Sequence, residues 1–150
     1  DLYEAAGYEG RPQREMYAAY LHLMARLVRT HPYIDVLGHI DYIARYAPYD
    51  APGIRYNEYA AEIDEVLLAI IETDTALELN TRRLGDTFAA EELLPLYRRY
   101  GELGGEYITI GSDAHQPDAI GAHFDIARQL AEVCGLTPIT FRARRAVKNF

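Results

Sequence analysis

Cysteine is nearly missing from this 150-residue chain, in which Cys134 stands alone. One thiol excludes an intrachain disulfide framework and a thiolate-rich zinc site, and it suits a reducing compartment such as the cytoplasm. Tryptophan is absent, and lysine nearly so, Lys148 being the one non-arginine among 15 lysine and arginine residues. Positive charge is in deficit. A net charge of -8 and a pI near 5.1 argue against a large nucleic-acid footprint, which needs a concentrated basic surface. No apolar run approaches the roughly 18 residues of a membrane span, and the opening residues show no charged and apolar leader, so no membrane association is expected. Also lacking are a G-x-x-x-x-G-K-S/T loop, a G-x-G-x-x-G fingerprint and a G-x-S-x-G elbow, which sets aside nucleotide cradling and serine-hydrolase chemistry. The chain opens on "DLYEAAG" without methionine, the expected mark of a piece cut from something longer.

What is present is ordinary for a globular domain with a real core: 49% hydrophobic and 25% charged residues. Apolar spacing predicts four helices. The first covers about Pro12 to Arg29 and buries Met16, Tyr20, Leu23, Leu27 and Val28. The second runs from about Asn57 to Glu72 on Ile63, Val66, Leu67, Ile70 and Ile71. The third, about Ala90 to Leu103, stops at Gly104 and Gly105. A fourth is capped by Asp118, ends near Gly135 and carries Ile120, Phe124, Ala127, Leu130 and Ala131. Between and after them lie the strand-like runs "YIDVLGHID", "ALELNT", "YITIGSDAH" and "PITFRA".

Helices alternating with strands imply a parallel α/β sheet. Reading the strands at period two puts Ile34, Val36 and Ile40 opposite Asp35, Leu37, His39 and Asp41. It likewise puts Leu77 and Leu79 opposite Glu78 and Asn80, Ile108 and Ile110 opposite Thr109, Gly111, Asp113 and His115, and Ile139 and Phe141 opposite Thr140 and Arg142. One aliphatic and one polar face per strand suits a barrel interior better than an open, doubly covered sheet. Four units are half of the about eight in a closed barrel, so the expected fold is the C-terminal half of a TIM-like barrel with four parallel strands.

The polar residues gather toward the C-terminal strand ends, where barrel enzymes build their sites. Asp113 and His115, at i and i+2, would project together and are donor types suited to zinc, iron or manganese. The competing reading is a hydrogen-bonded loop start with His115 in solvent. His39 in "GHID" repeats the pattern one strand end away. Asp41 either orients an imidazole or accepts a hydrogen bond from metal-bound water, or else is a surface carboxylate at a helix start. Arg45 and Arg82 follow two strands at the same mouth, where a guanidinium can hold a phosphate through paired hydrogen bonds. Surface salt bridging competes for both, and is the preferred reading for Arg83. Glu78 is either an acceptor within the site or a partner of Arg142. His22, His31 and His123 read as surface or packing residues.

Taken together, "DVLGHIDYIARY", "LELNT", "GGEYITIGSDAH" and "AIGAHFDIARQLAEVCGL" resemble the C-terminal half of the histidinol-phosphatase branch of the PHP (polymerase and histidinol phosphatase) superfamily. The resemblance runs from about Tyr17 to Phe141 and implies a distorted seven-stranded β/α barrel, residues 1–150 being the C-terminal part of one such domain. It implies up to three divalent metals at the mouth and hydrolysis of L-histidinol phosphate to histidinol and phosphate in histidine biosynthesis. It also implies His39, Asp113 and His115 as metal ligands, Arg45 as a phosphate contact, and Arg82 as a less secure one, because "NTRRLGD" departs from the usual small residues after N-T. The family's H-x-H motif, bridging glutamate and remaining histidines are not in these 150 residues. The polypeptide by itself is therefore expected to be inactive or nearly so, to hold metal weakly, and to self-associate through exposed apolar edges. Two other readings compete: another PHP phosphoesterase, such as a nucleotide phosphatase or exonuclease, and a non-catalytic module using the half-barrel as a binding surface.

Overall fold

The computed structural model describes residues 7–148. In chain order the elements are α1 (Gln13–Thr30), β1 (Val36–Leu37), α2 (Ala60–Glu72), β2 (Ala76–Asn80), α3 (Thr87–Glu102), β3 (Tyr107–Gly111), α4 (Phe124–Val133), β4 (Thr137–Arg142) and β5 (Arg145–Lys148). They form a mixed α/β domain on one sheet of order β1-β2-β3-β4-β5. The four expected strands are parallel, and a fifth, antiparallel to β4, was not expected. The β4–β5 turn is made by Ala143 and Arg144, both at positive φ, which is the backbone a two-residue hairpin of this hand needs.

The core lies between the helices and the aliphatic face of the sheet. Ile63, Val66, Leu67 and Ile70 of α2 are fully buried, as are Leu77, Leu79 and Ile108 of the strands, in agreement with the spacing argument. The first helix needs correction. Its buried residues are Tyr17, Leu21, Ala25 and Val28, whereas Leu23 and Leu27 are each 43% exposed. The stripe is turned because Tyr17 is fully buried, its hydroxyl donating to the Pro52 carbonyl at 2.7 Å, and because Ala25 presents little side-chain volume in the packed interior. α1 ends before Pro32, since a residue preceding proline avoids helical backbone. α3 stops at Gly104, whose φ of 99° is easily reached only by glycine, with the Gly105 N–H closing on the Tyr100 carbonyl at 2.9 Å.

The fourth helix also starts later than expected. Asp118 lies in a short 3-10 turn, Pro117–Ala119, and caps nothing in α4; the chain then passes through Gly121 and His123, both left-handed, before the helix begins at Phe124. Ile120 is consequently 74% exposed rather than on the buried stripe. In β4 the assignment of faces reverses. Tyr107 pairs with Thr137 and Ile108 with Pro138, so Ile139 and Phe141 fall with Tyr107 on the face opposite to Ile108. There they line, with Ala76 and Ala146, a cleft of about 420 Å³. No helix among the described residues is long and apolar enough to cross a membrane.

Candidate active site

Two of the strands that feed the site are shorter than the sequence pattern suggests. β1 is only Val36–Leu37, and β3 ends at Gly111. His39 and Asp113 therefore lie beyond the strands, and both have left-handed backbone, φ 54° and 48°. Their placement comes from these turns and not from the pleat, which corrects the i, i+2 strand argument. Non-glycine residues held in this region mark sites where surrounding contacts override local preference. For His39 the contacts are visible: its carbonyl accepts the Tyr42 N–H at 2.9 Å and the Tyr20 hydroxyl at 3.0 Å.

Four of the predicted residues, Arg45, Arg82, Asp113 and His115, nevertheless meet. Arg45, in the 3-10 turn Tyr42–Arg45, donates to Asp113 Oδ2 at 2.7 Å, and Arg82 donates to the same oxygen at 3.3 Å. His115 Nε2 lies 3.5 Å from Asp113 Oδ1, and the His115 side chain is 67% exposed. The Arg45 hydrogen bond is the largest influence on the Asp113 carboxyl and holds it below the ordinary aspartate range against the effect of burial; Arg82 and His39 act in the same direction. Burial is the largest influence on the Arg45 guanidinium and works to lower it, but Asp113 and Tyr46 together outweigh it and the net direction is upward. Three successive strand ends thus supply one charged cluster.

Three further residues belong to it. Asn80 Nδ2 lies 3.0 Å from His39 Nδ1, and Asn80 Oδ1 accepts the Arg82 backbone N–H at 3.0 Å, so the side-chain amide links two site residues. Glu78 Oε2 accepts the His39 backbone N–H at 3.1 Å. Of its two sequence readings this favours the acceptor within the site, and no bond joins it to Arg142. Arg83 donates to Asp41 Oδ2 at 2.7 Å and reaches Glu92 at 3.6 Å. Arg83 does form the salt bridge expected of it, but beside the site, lining a small pocket with His39, Asp41, Tyr42, Arg45 and Asn80. Asp41 is thereby tied to an arginine, and among the described residues it pairs with no imidazole. Sequence reasoning put Asn80 on the same face as Glu78 without assigning it work, and gave Arg83 a salt bridge without naming its partner.

The remaining histidines stand elsewhere. His22 meets Glu65 at 2.6 Å on the α1–α2 surface, and His31 bonds the Leu27 carbonyl. His123 sits over Gly85, where an added Cβ would come within 2.8 Å of the ring.

Chemically, the donor types of His39, Asp113 and His115 fit a divalent cation of the zinc class. Their number does not close a shell: among the described residues no three such groups come together, and Asp113 Oδ2 is engaged by two guanidiniums. What the chain does provide is a pair of arginines aimed at one point above the strand ends, geometry suited to a tetrahedral oxyanion.

The fold is of the histidinol-phosphatase type. The chain superposes on the crystal structure of histidinol phosphate phosphatase from Lactococcus lactis, complexed with zinc, L-histidinol and phosphate, with a TM-score of 0.82 and 28% identity over 94% of this chain and 54% of that one. In sequence it is 48% identical to a probable histidinol-phosphatase of Clostridium acetobutylicum over 96% of this chain and 56% of the relative. It is 30% identical to the histidinol-phosphatase of Lactococcus lactis over 95% and 53% respectively. The chain thus spans about half the length of the curated relatives it matches. No family model matches it.

Proposed function

We propose that these residues form one side of the active site of a metal-dependent phosphomonoesterase acting on L-histidinol phosphate, within the PHP superfamily. On this reading the chain corresponds to the C-terminal part of a distorted seven-stranded β/α barrel. The observation that carries the reading is the convergence of Arg45 and Arg82 on Asp113, beside His39 and His115, above three consecutive strand ends.

Arg45 and Arg82 would bind the substrate phosphate and neutralise charge developing on its oxygens during transfer to water. Asp113 draws both guanidiniums to one oxygen, and as a carboxylate held below the ordinary range it is ready to serve as a cation ligand. His39 and His115 flank it as the other ligands, and Asp41, fixed by Arg83, orders the turn that carries Arg45. A divalent cation of the zinc, manganese or iron class, when bound, supplies a hydroxide near neutral pH and neutralises phosphoryl oxygens. Because the described residues bring no three donors together, the 150 residues alone are expected to bind such a cation weakly and turn over little. The acidic balance favours a small phosphate ester over nucleic acid.

A chimera tests the reading: this chain joined to the part of the Clostridium acetobutylicum relative that it does not cover. The chimera is expected to release phosphate from L-histidinol phosphate with zinc present and to stop when a chelator is added. A folded chimera with no turnover, or one preferring single-stranded DNA, would overturn the reading. Self-association of the 150-residue chain, expected from the edge of β1 that pairs with no strand among the described residues, would appear as dimer or larger species in sedimentation equilibrium.

A further inference from the structure

We infer that Glu78 is a positioning residue for His39, acting through the histidine's backbone, and that glycine stands at 38 and 111 to admit its carboxylate. The inference deepens the reading above, because it matters for function only if His39 belongs to the site.

Three observations carry it. First, His39 is held in left-handed backbone, and its amide, just past β1, donates across to Glu78 Oε2 on the neighbouring strand at 3.1 Å. An amide there without a partner would leave that strained turn free to relax toward ordinary backbone. Second, Glu78 is itself anchored: its carbonyl accepts the hydroxyl of the buried Tyr97 at 2.7 Å, and its side chain is only 18% exposed. Third, both flanking strands make room for the carboxylate. A Cβ at Gly38 would come 3.2 Å from Glu78 Oε2, and one at Gly111 would come 2.5 Å from Oε1. Neither glycine has positive φ, so backbone freedom does not explain them; space for Glu78 does.

The carboxylate serves the backbone more than the ring. Glu78 Oε2 is 3.8 Å from His39 Nδ1, beyond a hydrogen bond, and that nitrogen is met by Asn80 at 3.0 Å. β2 therefore grips His39 twice from its inner face, by Glu78 at the main chain and by Asn80 at the imidazole.

Amide hydrogen exchange of His39, followed by NMR in the 150-residue chain, tests the inference without any need for turnover. The wild-type amide is expected to be protected. Glu78→Ala should speed its exchange by about tenfold or more, the loss of one charge-assisted hydrogen bond, with amides of α1 and α2 unchanged. Glu78→Gln keeps a carbonyl acceptor and should retain most of the protection. Gly111→Ala leaves Glu78 in the sequence but intrudes on its carboxylate, so it should reproduce the Glu78→Ala effect, and the two changes combined should do no more than either alone. If Glu78→Ala fails to fold, the contrast between Glu78→Gln and Gly111→Ala decides. An unprotected wild-type amide, Gly111→Ala without effect, or Glu78→Gln without rescue would overturn the inference. Failure of the chimera to hydrolyse histidinol phosphate would leave these exchange results standing and sink only the functional reading.

Discussion

Two regions of the molecule pair arginine with aspartate, and they do so differently. Between α2 and α3, Arg99 embraces Asp64 with Nε 3.1 and 3.2 Å from the two carboxylate oxygens and Nη2 2.8 Å from Oδ2, while Tyr56 adds a hydroxyl to Oδ1 at 3.0 Å. The carboxylate is saturated. At the strand ends two guanidiniums instead share one oxygen of Asp113, leaving more donors than that carboxylate can use. One arrangement closes a structure; the other holds positive charge in reserve, in a chain whose net charge is -8.

The largest effect that would sharpen this contrast belongs to Arg45. In the chimera, Arg45→Ala should lower kcat on histidinol phosphate by roughly 10²- to 10³-fold, as removal of a donor to transition-state charge does elsewhere. The melting temperature should fall by no more than a few degrees, the share of stability that Arg45 gives through Asp113. An equal loss from Asp64→Ala would erase the distinction. That substitution should instead act on the fold, lowering the melting temperature by roughly 2–4 °C, the shift expected from about 1 kcal/mol in a chain of this size, while phosphate binding is unchanged.

The two carboxyls also differ in what sets their acidity. Both lie below the ordinary aspartate value, Asp64 chiefly through Arg99 and Asp113 chiefly through Arg45. A carboxyl depressed on folding contributes stability that is present above its unfolded pKa and lost as pH falls through its lower folded one, so both contributions should disappear only in acid. Carboxyl NMR titration should show Asp113 moving upward in Arg45→Ala with Asp64 unmoved. The smallest effect is expected for Arg83→Ala, which frees Asp41 at a half-exposed pair: a several-fold rise in KM through looser placement of the Arg45 turn, with little change in kcat.

Much of the scaffold could be read from periodicity, because α2 and β2 obey it closely and their aliphatic residues are buried as spaced. Where reading failed, a local feature outweighed pattern. β5 is short, fully exposed and entered through Ala143 and Arg144, neither of which announces a hairpin as Asn-Gly would. The left-handed turns at His39 and Asp113 carry no glycine and so gave no signal. Several residues singled out from the sequence come together above the strands, but spacing did not show the partner of each: Asp41 finds Arg83, and the phosphate-binding candidates find Asp113. Partner choice depends on side-chain reach across strands, which one-dimensional spacing does not contain.

At the far tip of the hairpin, Arg144 reaches the Tyr33 carbonyl and Asp35, just ahead of β1. That single side chain works as a buckle, fastening the last ribbon of the sheet to the approach to its first. A protease nick at the tip would slacken the lead-in to β1, the strand that precedes the turn at His39.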